Sequence, residues 1–504
     1  MGDYRPGHGS RLTRRQLLVG GGSVFAALAA AGVGAYLIEE STSRSVSPND
    51  FSTVPAANVP LFHSRPDLRI AGIAIDVDTG ATAPGLIFLA PYGSPSAQQG
   101  ALIVDRSGEP VWMNPARGLE TDNFRVQTYD GQPVLTWWEG TIEYNHGIGS
   151  YVIANDRYEP IKHVQAGNGL RGDLHEFLLT TRGTALFTSY VVTTADLSSV
   201  GGSKRGRIQD SIFQELDIAT GRVLLEWHSL DHIALAESYW PVDSPWDYVH
   251  LNSIDVDVAD ENSLFVSSRN TRTIYKVDRS SGDIIWRLGG KHSDFALGTG
   301  ARFAWQHDAR SHPDGVITMF DNEGAPFVGD TPTRALVLAV DENRMTATLR
   351  QEYRHPLLLQ SSSKGNAQIL PNGNVFVGWG GEPFVSEFSP SGELLFDARL
   401  GIDYVSYRAF RVPWSATGAG QPSIAARRSA AHTTELWASW NGDTRVARWL
   451  VLGGGATGAL EPLGTFPRSG FETTIELAAL PQRVMVQGLD RGGVVLGESP
   501  TVSV

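Results

Sequence analysis

Apolar and polar residues alternate with a period of two along most of this chain, and the alternating runs recur in a fixed order. PGLIFLAPY from Pro84, QPVLTWWEG from Gln132, TALFTSYVV from Thr184, NSLFVSSRN from Asn262, GVITMFDNE from Gly315 and GNVFVGWGG from Gly373 each read as a half-buried strand. Behind every one comes a hairpin: ALIVDRSGEPVW at Ala101, YVIANDRYEPIKHV at Tyr151, FQELDIATGRVLLEW at Phe213, IYKVDRSSGDIIWRL at Ile274, LVLAVDENRMTATL at Leu336 and VSEFSPSGELLFDAR at Val385. Asp, Ser or Asn and usually Gly occupy the turns. In front of three units stands a further strand ending at a turn glycine, NFRVQTYDG, HEFLLTTRG and HDARSHPDG. Four strands repeated six times, at a period of about 50 to 60 residues, are the signature of propeller blades. The pattern predicts an all-β fold with a six-bladed β-propeller over residues 61–415. The first inner strand has to come from LRIAGIAIDVDTG at Leu68, which fits the register poorly and marks a place for ring closure.

After Val412-Pro413-Trp414 the pattern gives way to Gly, Ala and Ser, predicting a linker over 416–430. ELWASWN from Glu435, RVARWLVLG from Arg445, FETTIEL from Phe471, RVMVQGLD from Arg483 and GVVLGES from Gly493 then predict a small immunoglobulin- or fibronectin-like β-sandwich over 431–504. It carries no catalytic cluster, so a docking or stabilising role is expected of it.

The other end carries an address. Arg11, Arg14 and Arg15 precede an apolar run from Leu17 to Ile38, and LTRRQLL resembles a twin-arginine signal. Residues 1–40 therefore read as an export signal or a membrane anchor, with Ala29-Ala30-Ala31 a place for cleavage, and 41–60 as a polar tether. The body is expected outside the cytoplasm, anchored or secreted, with the twin-arginine translocation machinery as a partner; homo-oligomerisation stays open.

Composition narrows the chemistry. The 504 residues include no cysteine, which excludes disulfides, thiol catalysis and cysteine-ligated metal. A formal charge of −13, with no basic cluster past the first residues, excludes a nucleic-acid partner. Thirteen tryptophans and 20 phenylalanines supply the area for packing between blades, which is also the expected place of Trp137 and Trp138.

Candidate chemistry lies at the starts of the inner strands. Asn123, His175 and His307 each precede their turn glycine by eight residues, and further polar residues gather in DYVHLNSIDV around His250 and Asn252 and in SSRNTR around Arg269. Equivalent strand ends should meet at one mouth of the ring. Any one histidine there could merely bond a neighbouring carbonyl, and Arg269 could pair with Asp255 or Asp257. His146, His163, His292, His312 and His355 lack the register and read as surface or turn residues, and Asp308 should face away from His307.

From FHSRPDL at Phe62 and APGLIFLAPY at Ala83 through LTWWEG, AGNGLRGDLHEF, HLNSIDV, WRLGGKHSDF and FAWQHDAR to SYRAFRVPW at Ser406, the chain resembles the arylsulfotransferases, in the branch typified by actinobacterial and fungal sequences. That resemblance implies ping-pong transfer of a sulfuryl group from a phenolic sulfate donor to a phenol acceptor, without metal or other cofactor. His307 of QHDAR would become a sulfohistidine, and His175, His250, Asn252 and Arg269 would bind the sulfuryl oxygens, with His250 also chosen to serve the phenolic proton. A monoester of sulfate carries one negative charge, which one guanidinium and several imidazoles can hold. Members of the family that carry a disulfide depend on oxidation, and a chain without cysteine cannot share that dependence. Two other readings stay open on the same residues: a non-catalytic propeller that binds an anionic ligand or glycan, and a metal-dependent hydrolase using His175, His250 and His307.

Overall fold

The computed structural model describes residues 59–93, 95–323, 331–401 and 403–504, so the expected signal or anchor in 1–40 and nearly all of the expected tether in 41–60 lie outside the described residues. The described chain is all-β, with only short single turns of helix between strands. No helix among the described residues is long and apolar enough to cross a membrane.

Residues 73–412 form six sheets, antiparallel except where the short strand Ala296–Leu297 pairs parallel with Thr346–Tyr353. Sheet I joins Leu86–Tyr92, Gly100–Val104 and Pro110–Pro115 to the distant strand Val405–Val412. Sheets II to V are local, with inner strands Glu120–Tyr129, Phe177–Leu179, Leu251–Val256 and His307–His312. Sheet VI begins at Asn366–Ile369 and ends with Leu394–Leu400, on whose outer edge Ile73–Asp78 pairs. The segment after Leu68 is thus an outer strand of the last sheet, not the inner strand of the first. Val405–Val412 takes the inner place instead, pairing Phe88 with Phe410 and Leu86 with Val412.

Burial explains why the sheets close on themselves. Each strand alternates between two faces, and an apolar core fills every gap between successive sheets: Leu135 and Trp137 against Phe88 and Ile103, Trp138 and Tyr151 against Phe177 and Phe187, Trp227 against Ile254 and Tyr275, Phe265 and Trp286 against Met319 and Leu336, and Phe320 against Val377 and Trp379. The sixth gap joins the last sheet to the first, with Phe376 and Phe396 packed on Ile87 and Leu102. Inner strands of neighbouring sheets also touch in turn from Glu120–Tyr129 round to Val405–Val412 and back, save that Leu251–Val256 meets its neighbour through Thr184–Ala195.

Irregularities cluster at one end of these strands. The pairing register shifts between Asp122 and Arg125, between Leu251 and Ser253, and between His307 and Arg310. Asn123, His250 and Asp308 accordingly adopt left-handed backbone, at φ of 54°, 58° and 53°. A bulge turns the strand, so side chains that strict alternation would send outwards can be aimed along the ring.

Ser423–Arg428 is a strand, correcting the expected linker over 416–430; it pairs with Thr434–Ser439, which pairs with Glu472–Leu477. Glu461–Pro467, Arg448–Gly454, Arg483–Leu489 and Val495–Glu498 make a second sheet, and Trp449, Val451, Ile475 and Val486 share one core between the two. This C-terminal part leans on sheet I: the Asn441 amide both accepts from the Met113 N–H (2.9 Å) and donates to its carbonyl (2.9 Å).

Candidate active site

One cavity of about 500 Å³ is lined by His175, His250, Arg269 and His307. Four of the six residues singled out from the sequence therefore converge. Asp122, Lys364, Tyr92 and Tyr407 line the same space and were not anticipated. Asn252 is buried beside it: its amide donates to the Gln306 carbonyl (2.7 Å), so it positions the residue before His307 rather than facing the cavity. Asn123, the third member of the register, accepts from the Arg408 guanidinium at 3.0 Å and likewise does not line the cavity.

Each cavity histidine is held through Nδ1. His175 Nδ1 meets Asp173 Oδ2 at 2.6 Å, and His250 Nδ1 meets Asp247 Oδ2 at 2.6 Å. An ionised carboxylate only accepts, so Nδ1 carries the proton and Nε2 keeps its lone pair. His307 Nδ1 lies 2.7 Å from Asn322 Oδ1. Asn322 is itself fixed, because its Nδ2 donates to the carbonyls of Ser361 and Lys364, each at 3.0 Å. Its oxygen must therefore face His307, which again leaves a lone pair on Nε2. That nitrogen accepts a long hydrogen bond, 3.2 Å, from the Lys364 backbone N–H.

Burial lowers the pKa of all three rings, most strongly for His250 and His307, where the Arg269 guanidinium adds to the effect. Burial pulls Asp173 and Asp247 upward, but the neighbouring imidazoles outweigh it and leave both carboxyls low. The resting pairs are thus carboxylate with neutral imidazole. Asp122 differs: burial pushes it up to about 8 against the pull of Lys364, and its Oδ1 has no hydrogen-bond partner among the described residues.

Arg269 donates through Nε to Asn270 Oδ1 (2.9 Å), sits 3.6 Å from Asp247 Oδ2, and lies 5.8 Å from the centre of the Trp240 ring. Its ion-pair partner is Asp247 and not the Asp255 or Asp257 considered from sequence. Lys364 Nζ lies 5.5 Å from the Tyr92 ring centre. Two cations in a partly enclosed space suit a small anion better than a neutral ligand.

His146 and His355 are not surface residues. His355 is buried against Asp397, its Nε2 at 3.2 Å from Oδ1. His146 is buried with His175 and His250, ring centres 5.7 and 5.0 Å away, and stacks on Tyr190 at 3.6 Å. Trp137 and Trp138 pack in the cores between sheets, as expected.

Beneath the cavity runs a buried charge network. Glu176 accepts from Arg125 and Arg310, each at 2.6 Å, and Asp308 accepts from Arg310 at 2.6 Å and lies 3.1 Å from Arg408 Nε. Asp308 thus turns away from the cavity that His307 faces. A second cavity of about 620 Å³, lined by Arg125, Asp308 and Arg310, contains none of the four converging residues.

These features define an all-β protein whose cavity gathers neutral imidazoles, a guanidinium and an ammonium group. The family model described as Arylsulfotransferase (ASST) matches residues 125–401, more than half of the sequence, and the chain belongs to that family. No curated protein matches it. Among solved structures it is similar to a protein of unknown function from Bacteroides caccae, at 11% identity and a TM-score of 0.39, over 65% of this chain and 98% of that one. It is also similar to the periplasmic gluconolactonase PpgL of Pseudomonas aeruginosa (12%, 0.34, over 79% and 99%) and to the Cps50 (Swd1) beta-propeller domain of Myceliophteria thermophila (10%, 0.32, over 64% and 95%).

Proposed function

We propose that this protein transfers a sulfuryl group from a phenolic sulfate ester to a phenol, in ping-pong fashion, with His307 carrying the group between the two half-reactions. The six sheets are read as propeller blades and the C-terminal pair as a sandwich that braces the first blade. On its sequence motifs we read the protein as a member of the actinobacterial and fungal branch, exported by the twin-arginine route and either anchored or released.

The observation that carries this reading is the state of His307. Asn322 fixes the proton on Nδ1, and burial keeps the ring neutral, so Nε2 is a nucleophile at neutral pH. In the first half-reaction the Nε2–S bond forms as the phenolic O–S bond breaks, and the electron pair leaves on the phenolate. In the second, an acceptor phenol gives up its proton on the side of His250, the base chosen for it, its oxygen bonds to sulfur, and the Nε2–S bond breaks with its electron pair returning to His307 Nε2. The Lys364 N–H that touches Nε2 is released to the incoming sulfuryl oxygen. Arg269 and the Lys364 ammonium balance the charge of the transferring group, so the step at His307 itself draws on no metal. His175 and His250 stand on the side of the phenolic oxygen, either meeting it with Nε2 directly or acting on it through whatever Nε2 holds.

Incubation with a chromogenic aryl sulfate and a phenol acceptor tests this directly. Wild-type protein should release the chromophore in proportion to acceptor sulfated. His307→Ala should lose at least about 10³-fold in turnover. Wild-type turnover in that variant removes His307 from the role, and saturable binding of aryl sulfates without turnover makes the protein a binder.

A further inference from the structure

His146, His175 and His250 offer ring nitrogens that all lie within 4.8 Å of one another, and all three side chains are buried. Two of them already have the arrangement of metal-bound histidines, with Nδ1 tied to a carboxylate and Nε2 left over. His250 Nε2 is buried without a hydrogen-bond partner among the described residues. Neither ring nitrogen of His146 has a hydrogen-bond partner there either, although its Nε2 stands 3.5 Å from Asp247 Oδ2. Buried polar atoms are nearly always satisfied, and unpartnered nitrogens on two neighbouring rings, His146 and His250, ask for a common partner.

The surroundings hold the cluster in place. His146 starts the second strand of a hairpin whose two-residue turn, Tyr144 and Asn145, is left-handed at both positions. Asp173 ties that hairpin to the histidine on the next sheet: Oδ1 accepts from the Gly147 N–H at 2.5 Å while Oδ2 accepts from His175. Tyr190 stacks on the His146 ring, and its hydroxyl donates to the Leu251 carbonyl, one residue from His250.

We propose that His146, His175 and His250 bind a divalent transition-metal ion of the zinc class, with Asp173 and Asp247 as the outer carboxylates that orient two of the ligands. Three neutral imidazoles make a site with at least one open position, and two carboxylates behind them offset the charge of the ion beside Arg269. Nitrogens bonded to one tetrahedral ion at about 2.1 Å lie about 3.4 Å apart, so rings spaced by as much as 4.8 Å would draw together by up to about 1.4 Å on binding. This replaces the trio of His175, His250 and His307 considered from sequence, and it leaves His307 free. The use of the ion rests on the sulfuryl transfer proposed above and changes one part of it: with Nε2 of His175 and His250 on the ion, the two rings would act on the phenolic oxygen through the metal, which would supply a Lewis acid there.

Untagged full-length protein, loaded with Zn²⁺ or Co²⁺ and cleared of excess, decides it. Elemental analysis should find one ion per chain, and the Co²⁺ form should show the visible absorption of a low-coordinate nitrogen site. His146→Ala and His146→Gln should each bind at least about 10²-fold more weakly, and Asp247→Asn about 10- to 100-fold more weakly. His307→Ala should keep the ion while losing transfer. Less than a tenth of an ion per chain after loading (about 0.1 as a working limit), or unaltered affinity in both His146 variants, overturns the site. Metal bound with no sulfuryl transfer refutes the proposed function and leaves the site standing; full transfer after chelation refutes the site and leaves the function.

Discussion

Asn322 decides which nitrogen of His307 is basic, from 15 residues along the chain. Removing its oxygen frees the ring to take the other tautomer, with the lone pair turned away from the cavity. Asn322→Ala should therefore lower kcat by about 10²-fold or more with a smaller change in KM, read by aryl sulfate turnover; an unchanged kcat would show that the tautomer is fixed by something else. The same burial that keeps His307 neutral sets a pH signature. Its pKa lies below the ordinary histidine value, so the nucleophile survives mild acid, and the rate of the first half-reaction should stay level through that ordinary value before falling. Stability follows the same sign. His175, His250 and His307 take up protons more readily when unfolded, so the stability they contribute above the ordinary histidine value is lost as the pH falls below it. Asp173 and Asp247, low in the fold, lose their contribution further down, as the pH passes below the ordinary carboxylate value. A melting temperature that rises between about pH 7 and about pH 5.5 would contradict this assignment.

At the scale of elements, the hairpin Gln132–Glu143 to His146–Ala154 shows both how far the sequence could be read and where it stopped. Its strands are legible as alternating runs, and Trp137 and Trp138 as core. His146 is not, because it begins no inner strand and lacks the register to a turn glycine, arriving instead from the tip of a neighbouring hairpin. The signal available was the glycine spacing. A Cβ on Gly147 would stand 2.6 Å from both the Leu174 nitrogen and the Trp138 ring, so only glycine lets the hairpin lie that close. Gly147→Ala should cost about 1–3 kcal/mol, measured by denaturant titration, and a neutral result would mean that the hairpin has room to move. Asp122 and Lys364 escaped for a related reason. A bulge re-aims Asp122, and Lys364 lies in a loop; neither breaks an alternating pattern in a way that strict period-two reasoning can detect.

For the molecule as a whole, the repeats foretold the number of sheets but not the way the ends are joined. SYRAFRVPW is visible as a motif, yet nothing in its alternation says that it pairs with Leu86–Tyr92 more than 300 residues earlier, where the Ala90 N–H donates to Ser406 Oγ across 316 positions. Ring closure is a long-range preference, set by which sheet lacks an inner strand. The C-terminal strands reinforce the same sheet. Asn441→Ala leaves the Met113 N–H and carbonyl buried without their partner, and should lower stability by about 1–3 kcal/mol in a thermal or denaturant melt. No change would mean that the C-terminal part rides on the first sheet without bracing it.

The most direct test concerns the atom that carries the sulfuryl group. Protein exposed briefly to an aryl sulfate without acceptor, quenched in base to preserve an N–S bond and digested, should yield the peptide containing His307 heavier by one SO₃, and the increment should vanish when a phenol is added before the quench. Turnover accompanied by an unmodified His307 peptide, or by the increment on another residue, would contradict the assignment.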